Sequence, residues 1–375
     1  MGDLNDDLND ARGRGRVIDD AFDDGISSVF WARGDGFHDD VNDDVVNDDD
    51  AMSRSALAAT SWSGDVRVYA ARPHLLGRCA NIARFTSPSP ALCGVFVDGA
   101  SLVVSGECDG AVRARDVEGT TTSSRVVGAH DEATSCAAHD PAHACVVFSA
   151  SYDRTIKAWD LRAPSTAGRC AATIKLQGKA LTCDVARGTL FVGASDGQIV
   201  AYKTTDILAC GGGVAPPRAA MNRPSSMRFQ TRCVRGDPTR GDRVVVASVE
   251  GRVAVERVDA DERFAFKCHR HTIPERGEVV YPVHAVAFHP LGTFATGGGD
   301  GVVNIWDADA RKRLFQCPRY PTSISSLAFS PCGSMLAVAS SYAQEEREAN
   351  TPLSRLYIRV IGDDAEVTPK AAAAK

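Results

Sequence analysis

The stretches of this sequence that could carry chemistry are few, and each can be weighed against what its chemistry demands. TGGGDG at residues 296–301 has the look of a phosphate loop. No helix pattern follows it and no Gly-Lys-Ser/Thr is present, so a bound anion would meet no helix N-terminus, and a hairpin turn is the better reading. His139 and His143 in HDPAH have the i, i+4 spacing of a helical metal pair, but Pro141 between them breaks any helix that would bring the rings together. The 12 cysteines are scattered singly, with no Cys-x-x-Cys, and read as free thiols in a reducing compartment. No Gly-x-Ser-x-Gly elbow appears, and no cysteine has a base beside it in sequence. The expectation is a non-enzymatic chain with no catalytic residue, no metal site and no cofactor.

Cations and aromatics offer a different chemistry. Arg232 stands in FQTRCVR, Arg252 in ASVEGRVAVE and Lys267 in FAFKCHR, while Trp62 lies in TSWSGD and Tyr152 in SASYDR. Brought to one surface, such a set would suit an acidic, partly apolar peptide. Arginine–carboxylate forks would fix geometry, and the rings would supply buried area.

The elements that could bring them together are internal repeats. Small residues, an Asp or Gly turn and an alternating strand recur as TSWSGDVRVY (60–69), SGECDGAVRARD (105–116), SASYDRTIKAWD (149–160) and VGASDGQIVAY (192–202). The series continues with ASVEGRVAVE (247–256), TGGGDGVVNIWD (296–307) and a degenerate ASSYAQEEREANTPLSRLYIRV (339–360). Seven units at a spacing of roughly 43 to 54 residues match the period of WD repeats. Each reads as the second and third strands of a four-stranded blade, joined by a tight turn, and first strands such as TSCAAHD, HAVAFHP and SSLAFSP precede them. The fold class expected is all-β, a seven-bladed WD40 β-propeller over residues 13–362. RGRVIDDAF (13–22) would close the ring by adding an outer strand to the last blade. His130, Ser149 or Ser151, Asp153 and Trp159 are the parts of a hydrogen-bonded set in the third unit.

In a propeller, the turn between second and third strands lies on the same face as the link entering the next blade. Arg252 follows such a turn, Arg232 opens a first strand and Lys267 ends a fourth, so the three should share one rim. Trp62 and Tyr152 occupy the matching turns of blades one and three. The plainer reading is that the two rings cap their own hairpins and the cations are solvated.

Composition bounds the remaining classes. A net charge of −6 with 44% apolar residues argues against a chain devoted to wrapping nucleic acid, so no direct DNA binding is expected. No cationic stretch leads into an apolar one at MGDLNDDLND, and nowhere do about 18 apolar residues run together, so no membrane role is expected either. Residues 1–12 form an acidic tail, and 33–55 are an acidic insertion in the first blade, read as disordered because like charges repel and bury little. Its Asp/Asn content lacks the order of a calcium loop. ARKRLF (310–315) reads as a solvated turn, 363–375 as a C-terminal tail, and TPKAAAAK (368–375) as its frayed end.

FQTRCVRGDP, VVVASVEGRVAVE, RFAFKCHRH and KRLFQCPRYPTSISSLAFSPCGSMLAVASSYA resemble the WD-repeat mitotic spindle checkpoint proteins of the Bub-three family, densely over 223–343 and more patchily over 24–206. The related propeller that serves messenger-RNA export at the nuclear pore shares this signature. The resemblance implies an adaptor in the nucleus, at kinetochores in mitosis and partly in the cytoplasm. Its top face would bind the GLEBS motif of a checkpoint kinase and of a kinase-like checkpoint protein through Trp62, Tyr152, Arg232, Arg252 and Lys267. The loaded complex would then read phosphorylated repeats of a kinetochore scaffold. Tyr152 stands where that family more often has Trp. WDLR (159–162) also fits the pattern of propellers that dock on the adaptor of a cullin-four ubiquitin ligase.

Overall fold

Alternation of small or β-branched residues with polar ones, broken by Asp-Gly and Ser-Gly turns, builds four-stranded antiparallel sheets through the described residues. A computed structural model describes residues 13, 15–18, 20, 22–32, 56–72, 78–119, 124–163, 170–210, 217–275, 277–342, 354–361 and 364–370. The acidic tail 1–12, the insertion call at 33–55 and residues 371–375 lie outside them.

Seven blades follow in sequence order. Their first strands are Ile26–Trp31, Ala91–Val97, Thr134–His139, Ala180–Ala186, Thr231–Gly236, Val283–Phe288 and Ile324–Phe329. Each packs on the first strands of both neighbours, the last against Ile26–Trp31, so the seven form a closed inner ring. Closure uses the segment foreseen in the sequence. Arg16–Val17 pairs antiparallel with Arg355–Val360, making the fourth strand of blade 7, and Ile18 donates its N–H to Leu356 O at 2.8 Å. Residues 364–370 of the C-terminal tail pack back on blades 6 and 7, and the start of the stretch read as frayed, 368–370, is held with them. Val367 is buried, Glu366 forks onto Arg359, and the Lys370 N–H reaches the Asp307 carboxylate.

Seven apolar clusters lie within and between blades rather than in one core, the arrangement expected when neighbouring sheets pack face to face. Hydrogen-bonded sets pin blades 3 and 6. In blade 3, Trp159 Nε1 donates to Ser149 Oγ at 2.7 Å, His130 bridges Ser149 and Asp153, and Ser149 rather than Ser151 is the member. Blade 6 repeats this with His269, Thr296, Asp300 and Trp306. Blades 1 and 2 use buried ion pairs instead, Arg67 with Asp65 and Arg115 with Glu107.

Every first strand carries a β-bulge at its second residue. A bulge re-aims one side chain out of the ladder, and here all seven line the mouth of a central channel of about 900 Å³. The bulged residue is serine at 27, 135 and 325 and leucine at 92 and 181. In the adjacent blades 5 and 6 it is Arg232 and His284.

Candidate functional site

Blade 5 concentrates the charge. Its strands are Thr231–Gly236, Arg243–Ser248, Arg252–Arg257 and Arg263–Lys267. The backbone register sets Thr231 opposite Ser248, Ser248 opposite Arg252 and Arg252 opposite Lys267, so a single row crosses the blade at its upper end. The turn before Arg252 depends on Gly251, whose φ of +61° favours glycine. A Cβ there would also come within 2.9 Å of Cys268 O and Val280 Cγ1. The Cys268 N–H returns to Gly251 O at 3.0 Å, which ties the residue after Lys267 to the same turn.

Two like charges directly opposite on a sheet repel. Lys267 is exposed, and the Arg252 side chain is 41% exposed. The nearest acid is Glu250, with Oε2 at 3.8 Å from Arg252 Nε, a separation too long for a hydrogen bond; Nε itself is buried without one. Glu250 Oε1 meanwhile accepts the Arg228 N–H at 3.1 Å. The row thus carries two cations with one loosely held counter-charge.

Arg232, the bulged residue, is exposed beside the channel mouth with Nη2 at 3.3 Å from His284 Nδ1. Burial, then the neighbouring Arg232, lowers the pKa of the His284 ring from 6.5 to about 4, so the ring is neutral at neutral pH. Trp62 and Tyr152 are 50% and 37% exposed, on the turns of blades 1 and 3. Their backbones tie these turns to the chain entering the first strand of the same blade, through Trp62 N–H to Gly25 O at 2.9 Å and Tyr152 N–H to Ala133 O at 3.1 Å. Lys179 Nζ lies over the Tyr152 ring at 5.7 Å. The three cations therefore meet in one blade, and the two rings stand on the same face across the ring from them.

The structure adds residues that sequence reasoning missed. Between blades 5 and 6 a small hairpin, Arg270–Ile273 with Gly277–Val280, rises on the same face. Arg270 holds it to the Arg252 turn, donating to Glu250 O at 2.6 Å and to Gly251 O at 3.3 Å. Val280 on this hairpin and Phe229 on the link from blade 4 are 38% and 57% exposed. Apolar surface thus flanks Arg252 on both sides. The third strand of this blade carries no Trp-Asp; in register, Glu256 stands where Trp159 and Trp306 stand in blades 3 and 6, and it has a use. Glu256 is fully buried, accepts the Ser226 N–H at 2.9 Å and sits 3.4 Å from Arg223, which anchors the link that carries Arg228 and Phe229.

Elsewhere, Arg162 of WDLR is forked onto Asp160 at 2.9 and 2.7 Å. Among the described residues, no group of three or more His, Cys, Asp or Glu side chains is placed to hold a metal.

Comparison with known proteins shows the family of the chain. The WD domain, G-beta repeat model matches residues 121–160 and 271–307. Mitotic checkpoint protein bub-3 of Caenorhabditis elegans is 38% identical over 326 residues, 84% of this chain and 89% of that protein. The chain belongs to the Bub-three family of WD-repeat proteins. Similarity extends beyond checkpoint members of the Bub-three group: the Poly(A)+ RNA export protein of Schizosaccharomyces pombe is 30% identical over 76% of this chain and 78% of its own length. Among solved structures, U3-55K superposes with a TM-score of 0.71 over 92% of this chain and 98% of its own; at 16% identity this speaks to the propeller fold alone.

Proposed function

We propose that this protein is a non-enzymatic adaptor of the mitotic spindle checkpoint whose upper face binds the GLEBS motif of checkpoint kinases. The observation that carries the reading is the blade 5 row: Arg252 and Lys267 side by side, Arg232 two strands away on the first strand, and a single acid too distant to hydrogen-bond with Arg252. A peptide with paired glutamates supplies the missing counter-charge, and carboxylate–guanidinium forks give it register. Phe229 and Val280 offer apolar contact beside the acids, and Trp62 and Tyr152 offer it across the face. The kinase-loaded adaptor would then read phosphorylated kinetochore repeats, concentrating the kinases at unattached chromosomes.

Isothermal titration of a GLEBS peptide into the purified protein tests the first step, with kinetochore foci in microtubule-poisoned cells as the cellular readout. No heat of binding together with no foci would overturn the proposal. The likeness to an RNA export protein favours one alternative, an adaptor that binds the corresponding motif of a nucleoporin; a steady nuclear rim in place of mitotic foci would select it. Docking on a ubiquitin ligase through WDLR would appear as co-purification with the ligase adaptor that is lost on Arg162→Ala.

A further inference from the structure

The contact between Arg232 and His284 joins two blades at the channel mouth. Each side chain occupies the bulge position of its first strand, the one position in each blade that the bulge turns toward the channel mouth. A guanidinium only donates hydrogen bonds, so at 3.3 Å from Arg232 Nη2 the His284 Nδ1 must be the acceptor, with the ring proton on Nε2. On its other side the ring lies close to the blade 6 turn: a side chain at Gly299 would place its Cβ 3.4 Å from Nε2. The remaining donors of Arg232 have no partner among the described residues. The serine and leucine side chains at the other five bulges could not serve both as a neutral acceptor and as a rigid ring.

We propose that His284 is a positioning residue: its Nδ1 holds one arm of the Arg232 guanidinium across the blade 5–blade 6 boundary and leaves the other donors set for a partner's carboxylate. An arginine alone has many rotamers, and binding must then order it; a side chain already held loses less freedom when the acid arrives. The inference rests on the peptide-binding reading above, and it adds a residue that touches no peptide itself.

The test is a double-mutant cycle on GLEBS peptide affinity with purified full-length protein. His284→Ala should weaken binding about five- to tenfold, the size of one ordinary hydrogen bond. His284→Asn, whose amide oxygen can accept in place of Nδ1, should stay within about twofold of the wild type. In an Arg232→Ala background, His284→Ala should have no further effect. Thermal unfolding of each variant separates lost folding from lost affinity, and the asparagine variant keeps the test decisive should the alanine variant fold poorly. Wild-type affinity in His284→Ala, an asparagine variant as weak as alanine, or an undiminished effect in the Arg232→Ala background would each overturn the positioning role while leaving the peptide-binding reading intact. A wild-type protein that binds no peptide would overturn both.

Discussion

Arg252 and Lys267 face one another across the third and fourth strands of blade 5, each the register partner of the other, with no carboxylate between them. Like charges at that spacing cost stability, so the pair makes structural sense as half of an interaction whose other half belongs to a partner.

Arg252→Glu should leave the propeller folded and reduce GLEBS peptide affinity by about 2 kcal/mol or more, because a carboxylate of the peptide would lose its fork and meet a like charge. Calorimetric titration reads this directly. A loss below about 0.5 kcal/mol would place Arg252 at the solvated rim of the contact.

Lys267→Thr should move stability and binding in opposite directions. Removing one of two facing cations relieves repulsion and puts a β-branched residue in a strand, a gain of about 0.2 to 1 kcal/mol in urea unfolding. Peptide affinity should fall in the same protein. Reduced stability would argue that the lysine stem packs usefully and that the repulsion is screened.

Glu256→Ala should destabilise the protein by about 3 kcal/mol or more, since it strands Arg223 and removes the acceptor of the Ser226 N–H. Faster amide exchange at Ser226 and in the following link should accompany the loss. A change under about 1 kcal/mol would show that the link is held by other contacts.

Acid should weaken the fold in part through His284. Its folded pKa of about 4 lies below the ordinary 6.5, lowered by burial, then by Arg232 and His269, and opposed by Asp300. As pH falls, the unfolded chain takes this proton first, so the stability is complete above about pH 6.5 and is lost as pH falls toward 4. Buried His130 is shifted in the same direction. Between pH 7 and pH 5 the His284 share is on the order of 1 to 2 kcal/mol, and His284→Asn should flatten the stability profile by that amount. Equal urea midpoint shifts in the two proteins would refute it.

Much of the fold was legible because it rests on local signals. Asp-Gly turns flanked by alternating strands mark the blades one by one, the set around Trp159 is spelled out within residues 130–159, and RGRVIDDAF shows its strand rhythm. The shared rim of Arg232, Arg252 and Lys267 also followed from blade geometry. What stayed hidden depends on distant pairings. His284 meets Arg232 from 52 residues away through two bulges, and nothing in HAVAFHP marks a bulge. The use of Glu256 stayed hidden because its partners, Arg223 and Ser226, lie at least 30 residues upstream. The hairpin at 270–280 has no Asn-Gly or Asp-Gly turn to announce it, and nothing in FQTRCVR marks Phe229 as exposed apolar surface.

The pairing of Arg16–Val17 with Arg355–Val360 has a bearing on how the molecule is made. During synthesis the strand Arg16–Val17 must wait until six blades and most of a seventh have emerged, because its sheet partner among the described residues is one of the last segments translated. Until then both ends of the growing arc expose an open flank, the condition under which sheets recruit strands from other chains. The final latch is short, two ladder residues backed by the buried Ile18 and Phe22. Whatever guards the nascent chain against misassembly must therefore act before that latch engages, and an insertion or cut near residue 16 should matter more to yield in the cell than to the finished ring's affinity for its partner.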